Sequence, residues 1–432
     1  MSAQNDTPSS FDYTPSYYTE SMNPWQDHPE LQGEHECDVC VIGGGMTGTS
    51  AALHLAERGY KVILLEASKV SWGASGRSGG QMIIGYNQSY QDIKKMVGKD
   101  DAKKLWAMGE EAMSLAKEQI NKHTIQCDLA NGHYHVSTKK RHIAELEEYL
   151  EDLESAGYHG CKILNREEVR STIGSEKYFS GLYDPNGGHL HPLNYTLGIA
   201  GAAENAGAII HEHSKVTHIN HGKAPKVHTD KGIVNCKHVA LCANAYLDGL
   251  EKKIDNKIMP VGTYILATEP LSEEEANNLI SDNAAVADIL FVLNYYRLSG
   301  DRRMLFGGEV NYSGKNPADI SKIMQKNMLE YFPQLTDKKI DYAWGGNVAI
   351  TVNRLPQFGK IGPTTYFAHG FSGHGVVLTG LAGKLIAESI AGSEERFDVF
   401  SRIPHRSFPG GNLLRTPALV LAMAYYRLRD LL

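Results

Sequence analysis

The sequence predicts two parts interleaved along one chain: an α/β part of Rossmann-like build and an α+β part built on a mixed sheet. Three observations lead there. Residues 37–66 read strand, glycine turn, helix, strand and closing carboxylate. A strand, a glycine loop and a helix recur over 367–391. Between them lie stretches with few glycines, many charges and long helical patterns.

The first stretch carries the most chemistry. Cys37-Asp38-Val39-Cys40-Val41-Ile42 is a short, β-branched apolar run, the pattern of a buried parallel strand. Gly43-Gly44-Gly45-Met46-Thr47-Gly48 supplies G-x-G-x-x-G ahead of a helical pattern at 49–57 and a second strand at 61–65 that ends in Glu66. Gly43 permits the tight turn, Gly45 lets the backbone approach a pyrophosphate, and Gly48 lets the helix pack closely on the strand. The helix N-terminus presents free N–H groups to the anion, and Glu66 is placed to take ribose hydroxyls. This is a dinucleotide site, with NAD and FAD both open at this point.

With 432 residues, 42% hydrophobic and 22% charged, the chain has the composition of a folded protein large enough for two domains. A net charge of −7 without a Lys/Arg block argues against nucleic acid as a partner. There is no apolar run long enough for a transmembrane segment and no signal-like apolar region at the start, so a cytoplasmic protein is expected. Six cysteines make no disulfide framework. Cys37 and Cys40, read as lying in one strand, point to opposite faces and form neither a redox pair nor a metal site.

In chain order, residues 1–35 read as an irregular polar and aromatic tail that wraps the main domain. The 68–81 loop, S-K-V-S-W-G-A-S-G-R-S-G-G-Q, is expected to lay backbone against the second half of the dinucleotide, with Arg77 either meeting a phosphate or fixing the loop. Helical patterns at 90–122 and 139–156 flank a strand at 131–137, and 181–191 reads as a turn-rich connection. A helix at 194–206, strands at 208–210 and 216–219, a hairpin turning at Lys231-Gly232 and an apolar strand at 239–245 return to the first part. Beyond it, 260–268, 288–298 and 304–309 read as strands and 317–331 as a helix. Tyr296, in Asn294-Tyr295-Tyr296-Arg297, is either part of a substrate cage or ordinary strand packing. His374, in the glycine loop before the last helix, either touches the cofactor or holds the turn.

Taken together, GGGMTG with Glu66, ASGRSGGQ at 74–81 and GFSGHG at 370–375 resemble the flavin-dependent amine and D-amino-acid oxidase family, over nearly the whole chain. Within it, Ser16-Tyr17-Tyr18, LCANAY at 241–246, Tyr295-Tyr296-Arg297 and Ile403-Pro404-His405-Arg406 resemble the bacterial branch that oxidises γ-glutamylputrescine in putrescine degradation. The resemblance implies a flavoprotein oxidoreductase with FAD held by residues 1–88, 186–250 and 341–432, and a substrate domain from 89–185 and 251–340. It implies oxidation of an amine C–N bond, with dioxygen as acceptor and hydrogen peroxide as product. The cofactor carries that chemistry, so no nucleophile or metal is called for.

The implied FAD contacts are Gly43, Gly45, Met46, Thr47, Gly48, Glu66, Ala67, Ser75, Gly76, Arg77, Gly79, Gly80, Gln81, Val216, Ala243 and Gly346, then Gly370, Phe371, Ser372, Gly373, His374, Gly375 and Val376. Tyr296 and His374 are the candidate catalytic residues. No cysteine lies in 345–351, where some family members attach flavin, so FAD is expected to be non-covalent. Glycine-oxidising members carry a carboxylate-gripping Arg at the position of Val348, whose side chain here favours an amine with a remote carboxylate. The alternatives are another secondary-amine or amino-acid oxidase, a dehydrogenase passing electrons to quinone, and a flavin-binding subunit without turnover. The tail at 413–432 has an apolar stretch expected to dock on the protein itself or to make peripheral membrane contact.

Overall fold

The computed structural model describes residues 12–311 and 319–408, whose strands form three sheets. The six-stranded sheet runs in the order Gln357–Ile361, Thr365–His369, His238–Leu241, Val39–Ile42, Val62–Leu65, Ile209–His211. Its neighbours from Thr365–His369 to Ile209–His211 are parallel, and Gln357–Ile361 alone is antiparallel. Period two sorts its side chains. Val39, Val41, Val62 and Leu64 face the helices, while Cys40, Ile42, Ile63 and Leu65 face the four-stranded sheet through Val216, Ile219, Val227 and Val234. Burial on both faces is why these strands read as continuous apolar runs.

Helix Met46–Ala56 packs between Pro192–Asn205 and Gly375–Ile390. The last contact is close because a side chain at Gly383 would lie 2.5 Å from the Ala51 nitrogen, and the Ser50 hydroxyl donates to the Gly380 carbonyl at 2.6 Å.

The nine-stranded mixed sheet runs Ile340–Thr351, Ile258–Thr268, Met304–Asn311, Tyr295–Leu298, Ala285–Asp288, Ala130–Ser137, Ser180–His189, Gln81–Met82, with Lys162–Leu164 beside Ser180–His189. One face packs on helix Ile320–Tyr331 through Tyr264, Leu266, Tyr296 and Phe306. The other turns Ile265, Tyr295, Leu305 and Trp344 toward the six-stranded unit.

Four local readings change. The 181–191 segment is no turn-rich connection but most of the strand Ser180–His189, paired with Ala130–Ser137. Its glycines serve a bulge: a side chain at Gly188 would lie 2.3 Å from the Ala130 carbonyl oxygen, and one at Gly187 would lie 2.6 Å from the His133 Cβ. The single strand expected at 288–298 is two, joined by a 289–294 loop that folds around the Asp288 carboxylate. The long 90–122 helical pattern breaks at Gly98, which takes φ 85° between two helices. Cys37 precedes its strand rather than lying in it.

The described part of the N-terminal tail contains the Ser16-capped helix Tyr17–Glu20, with Tyr17 and Tyr18 buried, and the strand Gly33–Glu36. Sheet membership also departs from the expected division, because Gln81–Met82 and Ile340–Thr351 both belong to the nine-stranded sheet. The 413–432 tail lies outside the described residues, among which no helix is long and apolar enough to cross a membrane.

Candidate functional site

The site begins where the parallel strands end. Gly43 leaves Val39–Ile42 at φ +104°, and a side chain there would press on the Cys242 carbonyl at 2.8 Å. At Gly48 it would meet the Gly43 carbonyl at 1.8 Å, so this glycine sets helix against turn. Gly45 leaves a hollow whose nearest neighbour is Ser75 Oγ, 2.8 Å from where a Cβ would sit. That hydroxyl accepts the Met46 N–H at 3.0 Å, so the 68–81 loop closes over the helix N-terminus.

Glu66 is half-buried beside the turn, its Oε2 accepting from Gly44 N–H at 2.7 Å and its Oε1 from Ser68 N–H at 2.9 Å. Burial raises its carboxyl above the ordinary range, and the backbone donors oppose that shift. Gly43, Gly45, Met46, Thr47, Glu66, Ala67, Ser75, Val216, Ala243 and Phe371 wall one cavity along the carboxyl ends of the strands, the crevice in which open α/β sheets bind nucleotides.

The sequence reading missed Trp72, Asn244 and Tyr246 on the same wall. Trp72 and Tyr246 meet edge to face at 5.4 Å, and Asn244 Oδ1 accepts the Gly370 N–H at 3.0 Å. Their signal was position: Trp72 lies in the 68–81 loop, and Asn244 and Tyr246 lie in LCANAY at 241–246.

Of the two roles weighed for Arg77, the structure displays the second. Its Nε donates to the Trp72 carbonyl at 2.7 Å, its guanidinium lies 4.0 Å over the Trp72 ring, and its own carbonyl accepts from Trp344 Nε1 at 3.0 Å. Gly346 gives its stem room, since a side chain there would come 3.2 Å from the Arg77 Cβ. Gly76 packs on the Ser71 carbonyl, Gly79 on the Tyr295 ring and Gly80 on the Leu190 carbonyl. Gln81 commits its amide to the sheet, donating to Val286 and Tyr296 carbonyls and meeting His133 Nε2 at 3.1 Å.

The second glycine loop is tied to the mixed sheet. Ser372 N–H donates to the Ala349 carbonyl at 3.0 Å, and Ser372 Oγ accepts the Thr351 N–H at 3.2 Å. Gly370 and Ser372 both take left-handed backbone, and a side chain at Gly373 would meet only open space. His374 precedes helix Gly375–Ile390, with Gly375 and Val376 in its first turn. Its Nε2 is buried without a partner among the described residues, and burial lowers its pKa to about 4. A charge on it would repel His133 and His135, themselves pushed down by burial.

Tyr296 is not in the site. It is fully buried on the helix side of the sheet, stacked on Phe306 at 5.7 Å and edge-on to Phe332 at 4.9 Å. Strand alternation turns its neighbours Tyr295 and Arg297 to the nucleotide side instead, where Arg297 Nε donates to the Gly79 carbonyl at 2.7 Å.

An FAD molecule fits this donor set. The cavity has a side-chain-free hollow at Gly45 for a diphosphate and a carboxylate at Glu66 for ribose hydroxyls. In the loop beside it, Ser71 Oγ, Ser78 Oγ and Arg77 Nη2 are buried without partners among the described residues, polar atoms that a ligand rich in acceptors would satisfy. Among the described residues no group of three His, Cys, Asp or Glu side chains is placed to hold a metal.

Residues 38–389 match the family described as DAO, FAD dependent oxidoreductase. The chain is 43% identical over 420 residues to gamma-glutamylputrescine oxidoreductase of Escherichia coli, covering 97% of this chain and 99% of that protein. It is likewise 43% identical to a probable oxidoreductase, OrdL, of Haemophilus influenzae, covering 96% and 97%. Among solved structures, glycine oxidase from Bacillus cereus superposes with a TM-score of 0.71 at 21% identity, covering 86% of this chain and 99% of that one.

Proposed function

The chain belongs to the FAD dependent oxidoreductase family, and from that premise we propose that it oxidises an amine C–N bond, with γ-glutamylputrescine as substrate and dioxygen as acceptor. In sum, a primary amine, dioxygen and water give an aldehyde, ammonia and hydrogen peroxide. The observation that carries the substrate is the full-length likeness to gamma-glutamylputrescine oxidoreductase.

FAD, when bound, supplies the acceptor for the hydride equivalent that leaves the amine carbon. The residues proposed to hold it are those of the cavity: backbone N–H groups from Gly43 to Thr47 for the diphosphate, Glu66 for the ribose, and Val216 and Ala243 as apolar walls. We propose that it is held without a covalent bond, since none of residues 345–351 is a cysteine. Gly79, Gly80 and the 370–376 loop are assigned to its ring end.

The chain's own tasks are to orient the amine, keep it neutral and exclude water. His374 is proposed to serve the second task as a hydrogen-bonding group rather than a base: burial keeps its imidazole neutral, and its Nε2, unpartnered among the described residues, can hydrogen-bond to the neutral amine. Val348 and Ile350, on the sheet face that also carries Gly346 and Trp344, offer no cation to grip a free α-amino acid. A cytoplasmic location is part of the same reading.

Peroxide release by the holoenzyme with γ-glutamylputrescine, compared with glycine, sarcosine and putrescine, tests the proposal. Turnover is expected with the first at the highest kcat/KM. No turnover of any amine by protein with fully bound FAD would sink it.

A further inference from the structure

After Thr351 the chain makes a turn that ends with Arg354 in left-handed backbone, φ 61°. The turn is pinned from several sides. Arg354 N–H donates to the Thr351 carbonyl at 3.2 Å, Asn353 Nδ2 to the Pro404 carbonyl at 2.9 Å, and Gln88 Nε2 to the Asn353 carbonyl at 3.2 Å. A non-glycine residue in this conformation is uncommon, and here the surrounding hydrogen bonds hold it in place.

The Arg354 side chain is half-buried and lies over the Phe291 ring at 5.7 Å. Among the described residues no carboxylate pairs with it, whereas Arg303 and Arg396 each pair with two and Arg402 with one. A ring face orients a guanidinium without neutralising it, so its fork remains available to a carboxylate.

Phe291 packs onto an apolar cluster of Met259, Val261 and Phe408, against which Val348 and Ile350 also pack. Val348 pairs with Val261 and Ile350 with Met259, so alternation puts these four strand residues on the face that carries Gly346 and Trp344 against Arg77. From Gly346 to Ile350 the strand rises about 13 Å, roughly the reach of four extended residues. That apolar face, where Met259 and Val261 are buried in one cluster with Phe408, runs from the cofactor loop toward Arg354, which has no counter-ion among the described residues.

We propose that Arg354 is the specificity residue for a carboxylate remote from the reacting amine, receiving it at the far end of this apolar face. The inference rests on the amine-oxidising reading above and adds the group that selects among amines. An extended aliphatic amine lies along Val348 and Ile350, and its distal carboxylate takes the Arg354 fork. Diamines without a carboxylate lack that anchor.

The test compares wild type, Arg354→Met and Arg354→Lys holoenzymes on γ-glutamylputrescine and on its des-carboxy analogue, 4-aminobutanoyl-putrescine. Arg354→Met is expected to raise KM for the first about 10- to 100-fold, the loss of one charge-assisted contact, with kcat little changed and KM for the analogue unmoved. Arg354→Lys, a point charge without the fork, should fall between. An equal KM change on both amines, or none, overturns the inference. Binding of γ-glutamyl-butylamide, which lacks the reacting amine, read from the flavin absorbance, separates the two proposals. If wild type binds it and Arg354→Met does not, Arg354 stands even where no amine is oxidised. Equal binding by both removes Arg354.

Discussion

Tyr178 and Tyr296 share a hydrogen bond, hydroxyl to hydroxyl at 2.5 Å, in the interior between the nine-stranded sheet and helix Ile320–Tyr331. Burial holds both phenols well above their ordinary pKa, so the pair is neutral and structural. Tyr296→Phe is therefore expected to lower the unfolding free energy by about 1 kcal/mol, the usual net worth of one buried hydrogen bond, and to leave kcat/KM unchanged. Urea denaturation and steady-state kinetics on one preparation check this. A large fall in kcat with unchanged stability would return Tyr296 to the site.

The hollow at Gly45 predicts a loss of cofactor. Valine there would place its Cβ 2.8 Å from Ser75 Oγ and fill the space above the helix N-terminus. Gly45→Val is expected to fold, with unchanged far-UV circular dichroism, yet to purify colourless. A variant as yellow as wild type would contradict the diphosphate assignment. In wild type, acid precipitation should leave all flavin in the supernatant, and flavin in the pellet would refute non-covalent binding.

Residues whose role is set by local order could be read before any tertiary contact was known. The Gly43–Gly48 turn and Glu66 belong to one strand–helix–strand unit, and that unit alone dictates where they lie. Ser75 was expected near the cofactor, but its hydrogen bond to Met46 depends on a loop folding back across the turn. Tyr295 and Tyr296 were harder, because alternation says they part but not which one faces the site. That phase is set by the helix packed on the far face. The strand Ser180–His189 was hidden by Pro185, Asn186, Gly187 and Gly188, which mark a bulge within it as readily as a loop.

Buried histidines set the response to acid. Burial lowers His374 to about 4 and His135, His189 and His369 to about 3, below the ordinary histidine value. A lowered histidine means that the unfolded chain takes up a proton before the folded one. The stability involved is fully present above about pH 6.5 and is lost as pH falls toward 4. His374→Asn removes one such proton, so its stability should fall less steeply in that window, by about 1.4 kcal/mol per pH unit. Parallel wild-type and variant curves from pH 6.5 to 4.5 would show that His374 does not titrate this way.

Asp288 acts with the opposite sign. Its carboxylate accepts the Leu290 N–H at 3.2 Å, the Asn294 N–H at 3.1 Å and the Tyr331 hydroxyl at 3.0 Å, which holds the loop carrying Phe291. Burial nevertheless raises it to about 6. Between about pH 4 and 6 the folded chain keeps a proton here that the unfolded chain has released, so this group's contribution falls as pH rises through that window and is flat above it. Asp288→Asn does not titrate. Its stability relative to wild type should therefore improve from pH 4 to 6 and run parallel beyond, measured by urea unfolding at fixed ionic strength. A constant difference across the whole range would mean that Asp288 stays ionised throughout, its hydrogen bonds outweighing its burial.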